Sequence, residues 1–499
     1  MEVLTYTKLN ETLMQIQCEP STGQELSEHF CFYVPGYKFM PAYRNRMWDG
    51  KIRLFDMRNK TLYCGLLHYL KEFCEERGYK LKPLDDKGLE DSHRAQKVNL
   101  EAFITELSLS VNGTGIIPRD YQVKGLSFTI ENGKALLLSP TASGKSLMIY
   151  MAIRYFLKYF KGKVLVIVPT TSLVEQMYSD FEDYSNLDDM WNANENCHRI
   201  YSGREKINIP HRVMISTWQS IHKLGYEWFE DFGMVIGDEA HNFKAKSLTA
   251  IMEKCINAPF KIGTTGTLDG TQTHQLVLEG LFGPVHRVTT TKELMDKKSL
   301  AQMDISILLL KYKEEYCKEV SKMKYQEEMD FIVKYHPRNN FISNLALDQK
   351  GNTLILFQYV DKHGKPLHDM LREKIEDNRK LFYVSGETGA MDREDIRAIT
   401  EEQNNAIIVA SIGTFSTGIN IKRLHNLIFA SPSKSQIRVL QSIGRGLRLS
   451  GDDINTKVYD IADDLHYKSS KNYTLNHAGE RIKIYSKERF QFHVYDINI

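Results

Sequence analysis

From residue 112 onward, short apolar runs alternate with longer amphipathic stretches. A first set of runs lies at 135–138, 164–168, 213–216, 234–236 and 261–263. Short, continuously apolar runs predict strands buried on both faces, and the amphipathic intervals between them predict helices. Alternation of that kind argues for a parallel sheet with helices on both sides, because each parallel connection needs a crossover. A second set follows at 353–357, 381–384, 406–410, 426–429 and 457–461. The expected fold class is α/β, with two parallel-sheet lobes in tandem at 112–290 and 346–499. Residues 291–345 are charged and helical in texture, which predicts a connector and hinge whose longest helix spans 311–335. Residues 1–90 read as a small α+β module, with helical spacing over 66–73, and 91–111 as a linker. The basic, aromatic tail at 470–499 is expected to pack back on a lobe.

At 499 residues the chain has room for two to four domains. Lys and Arg total 65 against 63 Asp and Glu, so net charge does not point to a nucleic-acid partner, which would have to be recognised by local patches. The seven cysteines are scattered without a C-x-x-C pair, which fits reduced thiols in a cytoplasmic protein and disfavours a zinc site. The N-terminus lacks the basic-then-apolar pattern of a secretory signal. No uncharged apolar run approaches the ~18 residues of a membrane helix.

The chemistry concentrates at three places. Ser139-Pro140-Thr141-Ala142-Ser143-Gly144-Lys145-Ser146 follows one strand-like run and enters a helical pattern. A tight loop entering a helix aims backbone N–H groups, here those of Thr141 to Ser146, and the positive dipole end at a phosphate. Lys145 would reach the β- and γ-phosphates of ATP, and the Ser146 hydroxyl would ligate Mg2+. Ser139 departs from the strict G-x-x-x-x-G-K-[ST] pattern, and alone the segment also fits a chance strand–helix turn. Asp238-Glu239-Ala240-His241 ends another apolar run. Asp238 would hold Mg2+ through water, and Glu239 would orient and deprotonate the attacking water. A solvated acidic turn is the bland alternative. Arg119-Asp120-Tyr121-Gln122 precedes the loop. The Gln122 amide can both donate to and accept from adenine, and Arg119 could stack on the base. Taken alone, these four residues fit a surface turn better.

Together with Thr265-Gly266-Thr267 and Gln441-Ser442-Ile443-Gly444-Arg445-Gly446-Leu447-Arg448, these segments, in this order, resemble the superfamily 2 helicases and translocases. The resemblance implies two RecA-like lobes that use ATP and Mg2+. It makes Lys145, Asp238, Glu239, His241, Gln441, Arg445 and Arg448 catalytic, with the two arginines supplying positive charge to the γ-phosphate when the lobes close. Thr265, Gly266 and Thr267 become the coupling segment. Pro169, Thr170, Thr217 and Thr414 become sugar-phosphate contacts, which carry no sequence information. Gly418 would lie near the nucleotide. Ala142 stands where many members carry Gly, and Ser146 where Thr is commoner. The whole chain, including residues 35–56, further resembles phage recombination and branch-migration DNA helicases. That implies DNA partners, both single-stranded and branched duplex: Holliday junctions, forks and R-loops with their RNA–DNA hybrid. It also implies recombination or single-strand-binding proteins, no membrane, and the bacterial host cytoplasm.

Between residues 38 and 60 basic and aromatic side chains interleave. Lys38, Arg44, Arg46, Trp48, Lys51 and Arg53 are the expected DNA-binding set, since cations grip phosphates while rings stack on bases. The alternative is a small aromatic core with a solvated charged face. Two rival functions stand beside the DNA helicase. One is an RNA helicase of the DEAH-box kind, which shares the letters at 238–241. The other is a remodelling subunit that no longer turns over, against which intact Lys145, Glu239 and Arg448 argue.

Overall fold

The structure is a computed structural model. It describes residues 2–34, 36–84, 99–266, 272–297, 303–376, 379–388, 396, 399, 400, 402, 404–414, 424–431 and 456–499. The chain forms two compact units, one of residues 1–139 and 144–288, the other of 289–499 with 140–143. Among the described residues no helix is long and apolar enough to cross a membrane.

The first unit opens with strands β1 (Val3–Lys8), β2 (Leu13–Gln17), β3 (Cys31–Tyr33), β4 (Lys51–Arg53), β5 (Thr61–Tyr63) and β6 (Lys80–Pro83). Four of them make a sheet of order β5-β2-β1-β6, and β3 pairs with β4. Alternation in β1 and β2 turns Leu4, Tyr6, Met14 and Ile16 to one face. Leu26 of helix Pro20–His29 and Leu70 and Phe73 of helix Leu67–Arg77 cover that face. This module is fastened to the lobe that follows. Tyr63 Oη donates to Glu253 at 2.7 Å, the Glu11 amide donates to Ile256 O at 2.9 Å, and Lys134 pairs with Glu11 at 3.2 Å. At the centre of the seam the fully buried Lys261 donates to Thr12 Oγ1 and, at 3.1 Å, to Met252 O.

After the short hairpin β7 (Ser110–Val111) and β8 (Thr114–Gly115), the first lobe forms around β9 (Lys134–Leu138), β10 (Lys163–Val168), β11 (Cys197–Ile200), β12 (Val213–Thr217), β13 (Phe232–Asp238), β14 (Phe260–Thr265) and β15 (Val285–Arg287). Their order is β11-β12-β10-β13-β14-β9-β15, all parallel. The five expected central strands are present with ends adjusted by a few residues. The short edges β11 and β15 were not expected. Gly237 and Gly263 lie opposite each other in β13 and β14. A Cβ on Gly237 would come within 2.6 Å of Phe243, and one on Gly263 within 2.8 Å of Leu136 and 2.9 Å of Phe282. Two bare positions side by side thus make a slot in which Phe243 and Phe282 meet edge to face at 5.1 Å.

In the second unit β16 (Met303–Lys311), β17 (Thr353–Phe357), β18 (Leu381–Val384), β19 (Ile407–Ser411), β20 (Asn426–Phe429), β21 (Thr456–Asp464) and β22 (Phe492–Asn498) form another all-parallel sheet, of order β18-β19-β17-β20-β21-β16-β22. Two expectations are corrected here. Residues 303–311, read as connector, are a strand between β21 and β22. The expected helix over 311–335 is two, Glu314–Val320 and Tyr325–Lys334, because Val320 turns into the core between them and the Lys324 amide donates to Glu327 to start the second. The tail does pack on its lobe. Helix Tyr473–Lys487 carries buried Arg481, which pairs with Asp460 of β21 at 2.7 Å, and β22 joins the sheet.

Candidate active site

Strands β13, β14 and β9 are neighbours, and their C-terminal ends bring three separate segments together. Loops at the carboxyl ends of parallel strands are where α/β sheets bind ligands. The Ser139 amide, first after β9, donates to Thr265 O of β14 at 2.8 Å. The chain then turns through Ala142 (φ 65°) and Gly144 (φ 80°) into helix Lys145–Tyr159. Ala142 holds a left-handed conformation that costs an L-residue roughly 1–2 kcal/mol, which explains why glycine is at home there. At Gly144 the demand is twofold, since a Cβ would also sit 2.2 Å from Gln122 Nε2.

Asp238 ends β13 opposite Thr264, whose Oγ1 donates to Asp238 Oδ1 at 2.7 Å. Burial pushes the Asp238 carboxyl up from the ordinary carboxylate range. The neighbouring Glu239 charge adds to this, and Lys145 and Thr264 oppose it. Glu239 follows with φ 51°, a second left-handed residue that aims its carboxylate sideways. There it meets Lys145 Nζ at 3.6 Å and His241 Nδ1 at 3.3 Å. His241 Nδ1 also lies 3.1 Å from Thr265 Oγ1. Glu239, the loop lysine, the histidine and the first residue of the coupling segment are thus one connected group, with Asp238 beside it. Ser146, in the first turn of the helix, has its Oγ 2.8 Å from Tyr184 Oη.

Other expected residues take different positions. Gln122 is buried and its Oε1 accepts from the Arg119 amide at 2.8 Å, while the exposed Arg119 donates to Tyr121 Oη at 2.8 Å. Thr170 Oγ1 accepts from the Leu173 amide at 3.3 Å and so caps helix Thr171–Tyr184, and half-buried Pro169 leads into it. Thr217 is buried, with its hydroxyl 2.9 Å from Ser220. Thr414, in the second unit, is buried and accepts from Ser411 Oγ at 2.7 Å. Gly266 is described, whereas Thr267, Gly418, Gln441, Arg445 and Arg448 lie outside the described residues. In the N-terminal module Lys51 and Arg53 pair with Glu28 at 2.5 and 2.8 Å, and Arg53 also with Asp49 at 2.6 Å. Arg44 and Arg46 are exposed and have no acidic partner among the described residues. With Lys38 and half-buried Trp48, whose Nε1 donates to Lys51 O at 2.7 Å, they line a cleft of about 590 Å³. Thr264 and Tyr184 were not singled out from the sequence. Thr264 adjoins a recognised segment, whereas nothing in the chain pattern marks Tyr184.

Comparison with known proteins follows the same lines. A family model described as DNA helicase UvsW, N-terminal, matches residues 8–83. Models described as Type III restriction enzyme, res subunit, and Helicase conserved C-terminal domain match 115–270 and 337–450. The ATP-dependent DNA helicase uvsW of Enterobacteria phage T4 is 34% identical over 499 aligned residues, spanning 97% of this chain and 98% of that protein. The chain belongs to the UvsW family of superfamily 2 DNA helicases. The crystal structure of T4 UvsW covers all of both chains at 32% identity with a TM-score of 0.54. A putative ATP-dependent RNA helicase of Acanthamoeba polyphaga mimivirus is 26% identical over 76% of this chain and 68% of its own length. The Type ISP restriction-modification enzyme LlaBIII, at 16% identity and a TM-score of 0.55 over 85% of this chain and 34% of that one, shares the fold alone. Among these, the UvsW family accounts for the N-terminal module as well as the two lobes, and the expected RecA-like architecture holds.

Proposed function

We propose that this UvsW-family ATP-dependent DNA helicase drives unwinding and branch migration of branched DNA, acting on Holliday junctions, replication forks and R-loops during phage recombination, repair and replication in the host cytoplasm. The observation that carries the reading is the connected group Lys145–Glu239–His241–Thr265 beside buried Asp238. Lys145 binds the β- and γ-phosphates of ATP, and a phosphate that recruits it frees Glu239 to take a proton from the attacking water. His241 ties the position of that acid to Thr265 at the head of the coupling segment. Gln441, Arg445 and Arg448 complete the charge around the γ-phosphate in this reading. The oxygen-only pair of Ser146 hydroxyl and Asp238 carboxylate fits Mg2+, and a buried carboxyl held above its usual range is relieved by a cation. Ser146 and Asp238 would hold Mg2+, which would supply positive charge against the phosphates. Arg44, Arg46 and Lys38 around the Trp48 cleft grip duplex DNA ahead of the motor. Lys51 and Arg53 join only as phosphates displace Glu28 and Asp49.

The test is ATP hydrolysis by purified protein with no nucleic acid, single-stranded DNA, duplex, four-way junction or single-stranded RNA, with Glu239→Gln as control. Stimulation greatest with the junction, and a loss of about 10²–10⁴-fold in the variant, is expected. Stimulation by RNA alone would instead indicate an RNA helicase, and no stimulation a remodelling subunit.

A further inference from the structure

Ser146 is the first-turn hydroxyl to which the proposed Mg2+ reading assigns a ligand role, and this inference rests on that reading. A serine hydroxyl has one proton and two lone pairs, and its side chain has three staggered rotamers. To offer a lone pair to a cation, it must adopt one rotamer and send its proton elsewhere. A threonine is restricted by its β-branch, but a serine needs an external partner. The structure supplies one. Tyr184 Oη lies 2.8 Å from Ser146 Oγ, at hydrogen-bond distance, and a phenol can accept the serine proton.

The arrangement is built in from both sides. Tyr184 is the last residue of helix Thr171–Tyr184 and continues the face that buries Val174, Met177, Tyr178 and Phe181. Its ring sits 5.6 Å from that of Tyr150, one turn beyond Ser146 on helix Lys145–Tyr159 and itself fully buried. Neither helix can rotate without breaking this packing, so the phenol oxygen is held over the serine. We propose that Tyr184 is a positioning residue for the metal-ligating hydroxyl: by accepting the Ser146 proton it presets the rotamer that offers oxygen to Mg2+. It thereby makes good the threonine that many superfamily members carry at this position. The same helix is capped by Thr170, one of the residues assigned to the nucleic-acid strand.

The experiment measures binding of a fluorescent, non-hydrolysable ATP analogue to the full chain, first in excess chelator and then as Mg2+ is titrated. Tyr184→Phe keeps the ring and removes the oxygen. Expected is unchanged affinity in chelator and a half-saturating Mg2+ concentration raised about fivefold, as loss of one hydrogen bond gives. Adding Ser146→Thr to Tyr184→Phe is expected to bring it back to within about twofold, because the β-branch restores rotamer restriction. Unchanged Mg2+ dependence in Tyr184→Phe would overturn the role of Tyr184 while leaving the metal reading intact. Equal loss of affinity in chelator would show a merely structural tyrosine, and failure of the threonine to rescue would refute rotamer control. Nucleotide affinity independent of Mg2+ in the native chain would remove the metal reading and this inference with it.

Discussion

Lys261 carries the sharpest consequence for stability. It is fully buried in β14, and burial lowers its ammonium from the ordinary 10.5 to about 8, with the Lys134 charge adding to this and Glu11 opposing it. At about 1.4 kcal/mol per pH unit, that drop costs the folded first unit about 3 kcal/mol whenever the lysine is charged. Between pH 8 and 10.5 the unfolded chain still holds the proton that the folded chain has shed. Stability therefore rises with pH across that window, and below it the full penalty stands. Lys261→Met keeps a straight apolar stem and removes the charge. Thr12 Oγ1 retains its own acceptor, Met252 O, at 3.2 Å. The variant forfeits about 1 kcal/mol of hydrogen bonding and is expected to be about 2 kcal/mol more stable at pH 7. That advantage should fall by about 3 kcal/mol and reverse by pH 10.5.

The assay is urea unfolding followed by tryptophan fluorescence. All 4 tryptophans, Trp48, Trp191, Trp218 and Trp228, lie in the first unit, so the signal reports that unit. Every other titrating group is shared by the two proteins and cancels in their difference. Parallel stability curves for native and variant chains from about pH 8 to about pH 10.5 would refute a depressed Lys261. A variant less stable at pH 7 would show that the hydrogen bonds outweigh desolvation.

Two further outcomes follow from the geometry. Gly144→Ala forces a Cβ to 2.2 Å from Gln122 Nε2 in a left-handed conformation, so ATP affinity should fall at least about tenfold, or about 1.4 kcal/mol, with circular dichroism unchanged; native affinity would show that the loop can relax. In four-way-junction binding, Arg44→Ala with Arg46→Ala should reduce the log–log salt slope by about 2, at roughly 0.9 per phosphate contact. Lys51→Ala with Arg53→Ala should reduce it by less than about 1, because Glu28 and Asp49 already hold those cations; the reverse ranking would move the DNA contact to the β4 face.

Central strands were legible because both of their faces are buried, so the runs at 164–168 and 354–357 are apolar throughout. Met303–Lys311 was missed because Ile305, Ile307, Leu308 and Leu310 fit a helical stripe as well as a strand. Only its pairing with β21 and β22 decides. The break at Val320 has no glycine or proline to announce it, and tertiary packing imposes it. Within the site, Lys145, Asp238, Glu239, His241 and Thr265 could be named from order and spacing, and the structure links Lys145, Glu239, His241 and Thr265 with Asp238 adjacent. Lys51 and Arg53 show the converse limit. A basic residue in a basic stretch says nothing about Glu28, which precedes them by more than twenty residues and meets them through the pairing of β3 with β4.

Why the connected group is rigid follows from what surrounds it. Ala142 and Glu239 both hold left-handed backbones, a strain of roughly 1–3 kcal/mol each that persists only where neighbours over-determine it. For Glu239 those neighbours begin with the paired Gly237 and Gly263. The slot they leave accepts Phe243, which anchors the turn Ala240–Lys244 that follows Glu239. A side chain at Gly237 would lift Phe243 directly, and one at Gly263 would displace Phe282, against which Phe243 packs; either change is expected to slacken the turn and let Glu239 relax to an ordinary backbone, drawing its carboxylate away from Lys145 and His241. The glycines of β13 and β14 carry no side chain to the site, yet they fix where Glu239 points. The packing of the sheet thus sets the geometry of the chemistry at its edge.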